Sequence, residues 1–265
     1  MREGEIELRP TVDRSWLERA ARVDPIAHAL ALWDLDRHPE RVRFVSAIGP
    51  DGPVGYLLIW LGHPVAPIVH WVGARGAAGP LADALPPRPL VAITPVDVVG
   101  AVERVRGPAS VRPLLVLAAP PSGPEDAVEA SNEVRRLGTA DRLPLDGFVR
   151  AHRDPETAEY PGLDPERETM WGFFEGGELL GVARAAVRGE TVWLIGGVYV
   201  APAARGRGIA SALVHAAVAA GRKDGATLAL YVREDRAGAR RLYERAGFRP
   251  HGRRQWIDAG AGLDP

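Results

Sequence analysis

The sequence predicts a mixed α/β protein, of the α+β kind, arranged as two similar lobes. Three observations predict it. Apolar runs of strand length alternate with segments of helical period. In each half, three strands follow one another across short turns before a helix intervenes. The two halves also share one order, helical start, three consecutive strands, helix, strand, helix, strand, which is a faint internal repeat with coincidence as its alternative. The 265 residues fit one large domain or two small ones, at about 100–200 residues each.

In the first half, residues 11–35 carry two helical patterns. Ile26, Leu30 and, past a turn, Trp33 follow a spacing of three to four, with Ala27 and Ala31 alongside. Strands are expected over 42–48, 54–61 and 65–72, with a hairpin turn at Pro50-Asp-Gly-Pro53. A short helix over 81–85 precedes a buried strand at 90–93. A helix of weak pattern spans 96–105, and a strand spans 111–117. Residues 118–124, Ala-Ala-Pro-Pro-Ser-Gly-Pro, have neither periodicity nor a buried face and read as a linker.

The second half begins near Glu125. Residues 134–137 suit a strand, with Thr139 or Asp141 as a cap for the next segment, although Pro144 and Gly147 weaken any helix there. Residues 151–164 read as loop. Residues 169–175 and 178–187 form a hairpin across Gly176-Gly177, and 191–200 is a buried strand. A long helix follows over 209–222, then a strand over 227–232. Asp235 suits the cap of a helix over 237–246, which Gly247 ends. A final strand over 248–257 leaves residues 259–265 as a disordered tail.

Composition narrows the functions. The apolar fraction is 46% and the charged fraction 25%, both ordinary for a globular chain. A net charge of −1 gives no general affinity for nucleic acid or an anionic membrane. The absence of cysteine excludes disulfides, thiolate metal sites and an acyl-cysteine intermediate. No run reaches the roughly 18 apolar residues of a membrane span. The N-terminus lacks the apolar core of a signal peptide, so a cytoplasmic location is expected. Lys223 is the only lysine and Asn132 the only asparagine, beside many Arg, Ala, Gly and Pro. That bias suggests a GC-rich genome and makes arginine weak evidence for a phosphate site.

The most informative stretch is Val198-Tyr-Val-Ala-Pro-Ala-Ala-Arg205-Gly-Arg-Gly-Ile-Ala210. A strand feeding a glycine-rich helix start offers free backbone N–H groups and the positive end of the helix dipole to an anion. No Lys follows the glycines as a Walker loop requires, and the third Gly of a dinucleotide fingerprint is missing. A solvated Gly-rich turn is the plain alternative. Arg205, Gly208 and Ala210 instead spell Arg-x-x-Gly-x-Ala, which resembles the pyrophosphate loop of the GNAT superfamily of N-acetyltransferases. Downstream, Leu242-Tyr-Glu-Arg-Ala-Gly-Phe248 resembles that family's second acetyl-CoA motif.

The resemblance covers residues 125–258 well and 1–117 weakly. It implies a central mixed, mostly antiparallel sheet flanked by helices. The lobes would be 1–117, a degenerate copy, and 125–258, an acetyltransferase domain; the pattern is similar to tandem and glycine-N-acyltransferase-like proteins. It also implies acetyl-CoA as co-substrate, bound by Arg205, Gly206, Arg207, Gly208, Ile209, Ala210 and Ser211 at the pyrophosphate. Its arm would lie along Val198, Tyr199 and Val200, between two splayed strands. Gly196-Gly197 inside the first of these suggests a bulge that would serve the splay, or merely a twist correction. Arg236 stands where the family often has Asn, which puts thioester placement in question.

Tyr243 would be the general acid, since a phenol with a pKa near 10 suits a thiolate leaving group near 8.5. Its plain alternative is a half-buried packing residue. For the base, Glu190, Glu168 and Glu234 all lie near strand ends, and Glu190 is taken as the candidate. His215 reads as structural, while His152 and His251 show no evident partner. No spacing suggests a metal site. The expected reaction is direct acyl transfer from acetyl-CoA to a small-molecule or peptide amine. A CoA-binding regulatory protein and a transferase for longer acyl groups are the alternatives. Neither the acceptor nor the oligomeric state can be read from the sequence.

Overall fold

The computed structural model describes residues 6–73, 75–122, 133–152, 164–166 and 168–262. The chain divides into two compact units, Met1–Leu114 with Arg253–Pro265, and Leu115–Gly252.

Unit 1 opens with a short strand that no sequence pattern announced, β1 (Glu7–Arg9). Helices α1 (Arg14–Val23) and α2 (Pro25–Arg37) follow. Each is capped by an aspartate: Asp13 accepts from the Trp16 N–H and Asp24 from the Ala27 N–H. Pro25 occupies a helix start, where a missing N–H costs nothing. Strands β2 (Val42–Gly49), β3 (Gly52–Trp60) and β4 (Ile68–Gly73) form an antiparallel meander. A short turn leads into α3 (Ala78–Asp83), then β5 (Leu90–Thr94) and α4 (Val99–Arg106). Of the four tryptophans in this half, Trp71 alone is fully buried; Trp16 packs partly buried against the Leu17 and Tyr56 cluster, Trp33 lies under the Arg37 guanidinium, and Trp60 packs edge-on to His38.

In unit 2, β7 (Val134–Arg136) and α5 (Arg142–Ala151) precede β8 (Thr169–Glu175), β9 (Glu178–Arg188) and β10 (Val192–Val200). Then come α6 (Ile209–Lys223), β11 (Thr227–Arg233) and α7 (Ala237–Arg245). Helix α5 forms despite Pro144 and Gly147. Pro144 falls in the first turn, where its N–H is not needed, and burial of Leu145 and Phe148 offsets the glycine. Asp141 does not cap α5. Its carboxylate instead accepts from the Gly138 N–H and from both Arg135 Nη groups, at 2.7 and 2.5 Å.

Two strands cross the sequence division. The sheet of unit 1 runs β1–β2–β3–β4–β5–β12, where β12 is Arg249–Ala259 and its Gln255–Ala259 segment pairs with Thr94–Leu90. The sheet of unit 2 runs β7–β8–β9–β10–β11–β6, where β6 is Ser110–Ala119. Leu115, Leu117 and Ala119 of β6 are buried in the unit 2 core with Leu213, Val214 and Ala217 of α6. The order of elements therefore recurs, with α1 and α2 where unit 2 shows α5 among the described residues, but each unit takes its last strand from the other half of the sequence. The division also falls elsewhere than at 118–124. Ala118 and Ala119 belong to β6, Ala259 is buried strand rather than tail, and residues 253–259 join unit 1. Residues 123–132, with the expected start at Glu125, and residues 263–265 lie outside the described residues.

Candidate active site

The site is built on β10. Its antiparallel ladder to β9 is broken between Leu194 and Ile195 and again between Gly196 and Tyr199, where Gly197 has φ +56°. Its parallel ladder to β11 covers only Val192–Thr227 to Leu194–Ala229, although β10 continues to Val200 and β11 to Arg233. The two strands part at the Gly196-Gly197 bulge, as the glycine pair suggested. The opened edge keeps backbone groups free. Ala201 N–H donates to Leu180 O on β9, so alternation turns the Val200 N–H away from β9, towards the opening. The Tyr199 ring packs instead into the layer beneath α5, against Phe148 at 5.8 Å and His152 at 5.8 Å. His152 thus has an aromatic setting that the sequence did not reveal.

Beyond Val200 the chain makes a single tight turn, Pro202–Ala204, and enters α6 through Gly206 and Gly208. Both glycines are left-handed, at φ +79° and +82°, and a Cβ on either would meet open space. Glycine is needed here for its backbone conformation rather than for room. Ala212 N–H is the first in the helix to find a partner, Gly208 O at 3.1 Å. Among the described residues nothing accepts from Ile209, Ala210 or Ser211 N–H, and no side chain caps the helix. Three donors and a helix dipole therefore face outward at the end of β10.

The arginines of this loop are engaged elsewhere. Arg205 Nε donates to Val200 O at 3.2 Å, and its guanidinium lies 5.5 Å from the Tyr199 ring centre, so it braces the strand end. Arg207 pairs with the exposed Glu175 on the β8–β9 hairpin, which raises its pKa. Ser211 O accepts a hydrogen bond of 2.7 Å from His215 Nδ1, a contact within one helix that fits a structural histidine.

On α7, the face formed by Ala239, Leu242, Tyr243 and Ala246 packs against the unit 2 core, as its spacing required. Tyr243 is half-buried and edge-on to Phe248, at 5.9 Å and 69°. Asp235 does not cap this helix. Arg233 captures its carboxylate through two bonds, at 3.0 and 2.5 Å, and lowers its pKa; the exposed Arg236 takes the cap position with no side-chain bond.

The three candidate bases separate clearly. Glu190 is exposed in the turn before β10, and the nine residues of that strand separate it from the loop. At about 3.3 Å per residue that is roughly 30 Å, and it lies beyond the still-paired end of β10. Glu190 is therefore not brought to the opened edge. Glu234 follows the end of β11, beside α7. Glu168, just before β8, accepts a 2.8 Å bond from Arg184 Nη1. Arg184 lies opposite Gly196, and its stem would be 3.3–3.4 Å from a Cβ on Gly197. The Glu168–Arg184 pair, half-buried, thus lies against the bulge. Sequence reading missed Arg184; the available signal was one arginine in an otherwise apolar strand stretch facing a glycine pair. Among the described residues no three His, Asp or Glu side chains cluster as metal ligands, and no helix is long and apolar enough to cross a membrane.

Comparison with known proteins agrees with this geometry. Residues 137–248, from the end of β7 to Phe248, match the family model described as Acetyltransferase (GNAT) family. A GCN5-related N-acetyltransferase from Sphaerobacter thermophilus is similar over 98% of both chains, at 20% identity and a TM-score of 0.61. A Drosophila protein of solved structure is similar over 95% of this chain and 97% of its own, at 16% identity and a TM-score of 0.68. A tandem GNAT protein from the clavulanic acid biosynthesis pathway is similar over 98% of this chain and 100% of its own, at 15% identity and a TM-score of 0.58. At these identities the structural likenesses speak for the fold. No curated protein matches the chain.

Proposed function

We propose that this chain, whose residues 137–248 form a GNAT-family acetyltransferase domain, transfers an acyl group, acetyl first among the candidates, from acyl-CoA directly to an amine. The observation that carries the reading is the parting of β10 from β11 after Leu194–Ala229, in a unit where β10 ends at three unpartnered N–H groups. An extended thioester cofactor needs both features: a strand edge for its amides and an anion site at one end. The Gly206–Ser211 backbone receives the pyrophosphate, each charge–dipole contact contributing about 0.3–1 kcal/mol. The arm lies along residues 198–200, and the Val200 N–H faces the carbonyl side of the opening.

The amine nitrogen attacks the thioester carbonyl, the C–S bond breaks, and the departing thiolate takes a proton from Tyr243. The attacking nitrogen loses its proton to Glu168, directly or through water, with Arg184 fixing the carboxylate. Much of the acceleration comes from holding amine and thioester together. Arg205 and Arg236 have minor parts in cofactor binding, and Arg207 a smaller one because Glu175 already holds it. The acceptor is a small molecule or peptide with a free amine, and a cytoplasmic setting is consistent with such a reaction.

Thiol release from acetyl-CoA, measured with a panel of amines, tests the reading. Wild type should turn over, and Tyr243→Phe and Glu168→Gln should each lose roughly 10²–10⁴ in rate. Tight CoA binding with no amine-dependent thiol release would leave a CoA-binding regulator as the function. Turnover of longer acyl-CoAs without acetyl-CoA would replace the acetyl assignment.

A further inference from the structure

Among the described residues unit 1 shows no equivalent of the anion loop: α3 is a six-residue helix, and neither Gly76 nor Gly79 has positive φ. It has a different cationic feature on its sheet. Alternation along the strands places Trp71, Ala92, Ile257 and Ala259 in the core beneath α3 and α4. The opposite face then carries Tyr56 of β3, His70 of β4 and Arg254 of β12. His28 of α2 joins this face, its Nδ1 3.0 Å from the Tyr56 hydroxyl and its ring 6.0 Å from that of Trp16.

Arg254 is the unusual member. The half-buried Arg106 and Arg184 have acceptors, Pro86 O and Glu168, and even the exposed Arg88 and Arg135 reach Ala259 O and Asp141. Among the described residues the half-buried Arg254 has neither a hydrogen bond nor an ion pair. Its charge is felt by both histidines, lowering the pKa of each. Burial is the larger cause for both, and His70 is pushed down to about 4. Asp24 opposes this at His28, but that carboxylate already accepts from the Ala27 N–H. The imidazoles are therefore neutral. In the tautomer whose Nδ1 accepts from the Tyr56 hydroxyl, His28 presents Nε2–H as a donor. A fixed cation, neutral ring donors and an aromatic wall, with the nearby Asp24 carboxylate already engaged by the Ala27 N–H, form the donor set for an oxyanion.

We propose that Arg254, His28 and His70 form a binding site in unit 1 for the carboxylate or phosphate group of a small molecule. The site does not rest on the acyl-transfer reading, because it lies within unit 1 and its donors are independent of the Gly206–Ser211 loop. Its cation is supplied by β12, so it exists only when that strand is seated in unit 1.

Imidazole ¹H–¹⁵N spectra of the full chain, titrated with succinate or with inorganic phosphate, test the proposal. His28 and His70 resonances should shift saturably with at least one anion, and the anion that does so identifies the ligand class. His215, beside Ser211 on α6, reports separately on phosphate at the helix start. Arg254→Gln should weaken binding at His28 and His70 roughly tenfold or more; Arg254→Lys should recover part of it. A strand merely disturbed by substitution would move the His28 and His70 resonances without anion and would not distinguish Lys from Gln, which overturns the proposal. So would shifts that stay linear in both anions, or saturation undiminished in Arg254→Gln.

Discussion

Replacing Gly208 by alanine separates two reasons for a glycine at the cofactor loop. At φ +82° an L-residue is strained, yet the new Cβ meets nothing within 4 Å. Left-handed backbone costs a non-glycine residue about 1–2 kcal/mol. If the loop holds its conformation, that sum appears as lost stability and CoA affinity is unchanged. If the loop relaxes, stability recovers and the three N–H groups lose their aim. CoA affinity then falls about 5- to 30-fold, at roughly tenfold per 1.4 kcal/mol. The two losses together should come to about 1–2 kcal/mol. Urea denaturation gives one and calorimetric titration of CoA the other. Gly147→Ala is the control: it lies inside α5, also has open space, and lacks positive φ. It should stabilise by about 0.5–1 kcal/mol. Arg207→Ala should change CoA affinity less than Gly208→Ala, because its guanidinium is paired with Glu175. Unchanged stability and affinity in Gly208→Ala, or a larger affinity loss in Arg207→Ala, would refute the reasoning.

Other outcomes rest on the same geometry. Glu190→Gln should leave acyl transfer within about twofold of wild type, while Glu168→Gln lowers kcat, in contrast to a reading that chooses the base from sequence position. Gly181→Ala should destabilise by about 1–3 kcal/mol in urea, because its Cβ would come within 3.0 Å of Ile209 Cγ2 and 3.1 Å of Tyr199 O. Asp34 is buried on α2, and burial pushes its pKa from 3.8 to about 7. The folded state therefore binds this proton more tightly than the unfolded chain does. Its contribution is fully present below about pH 3.8 and is lost as pH rises to about 7. A rise of that size, at about 1.4 kcal/mol per pH unit, is about 4 kcal/mol. Asp34→Asn should remove this slope and be more stable than wild type at pH 8; equal slopes from pH 4 to 8 in the two proteins would count against it.

The parts of the site that were legible in the sequence are those set by local backbone chemistry. Gly196-Gly197 foretold a bulge because a strand seldom accommodates two glycines without one, and Gly206 and Gly208 marked a left-handed entry into a helix. The face of α7 followed from its spacing. Long-range placement was not legible. Glu190 adjoins β10 in sequence, but adjacency does not say which end of a strand is open. Asp235 has the right chemistry for a cap, yet Arg233 two residues earlier competes for the same oxygens. Pro144 counted against α5 only because its place within the helix was unknown. The exchange of β6 and β12 leaves no local trace, since an apolar strand reads alike beside either sheet.

That exchange has a consequence for biosynthesis. Domains ordinarily fold in order as the chain leaves the ribosome. Unit 1 cannot, because Ile257 and Ala259 are fully buried in its core and are made more than 140 residues after Leu114. Until then the edge of β5, with Val91 and Ala92 fully buried in the finished structure, awaits its neighbour. The first lobe is completed by a segment translated only after the whole of the second, so no fragment ending at residue 114 inherits a finished sheet.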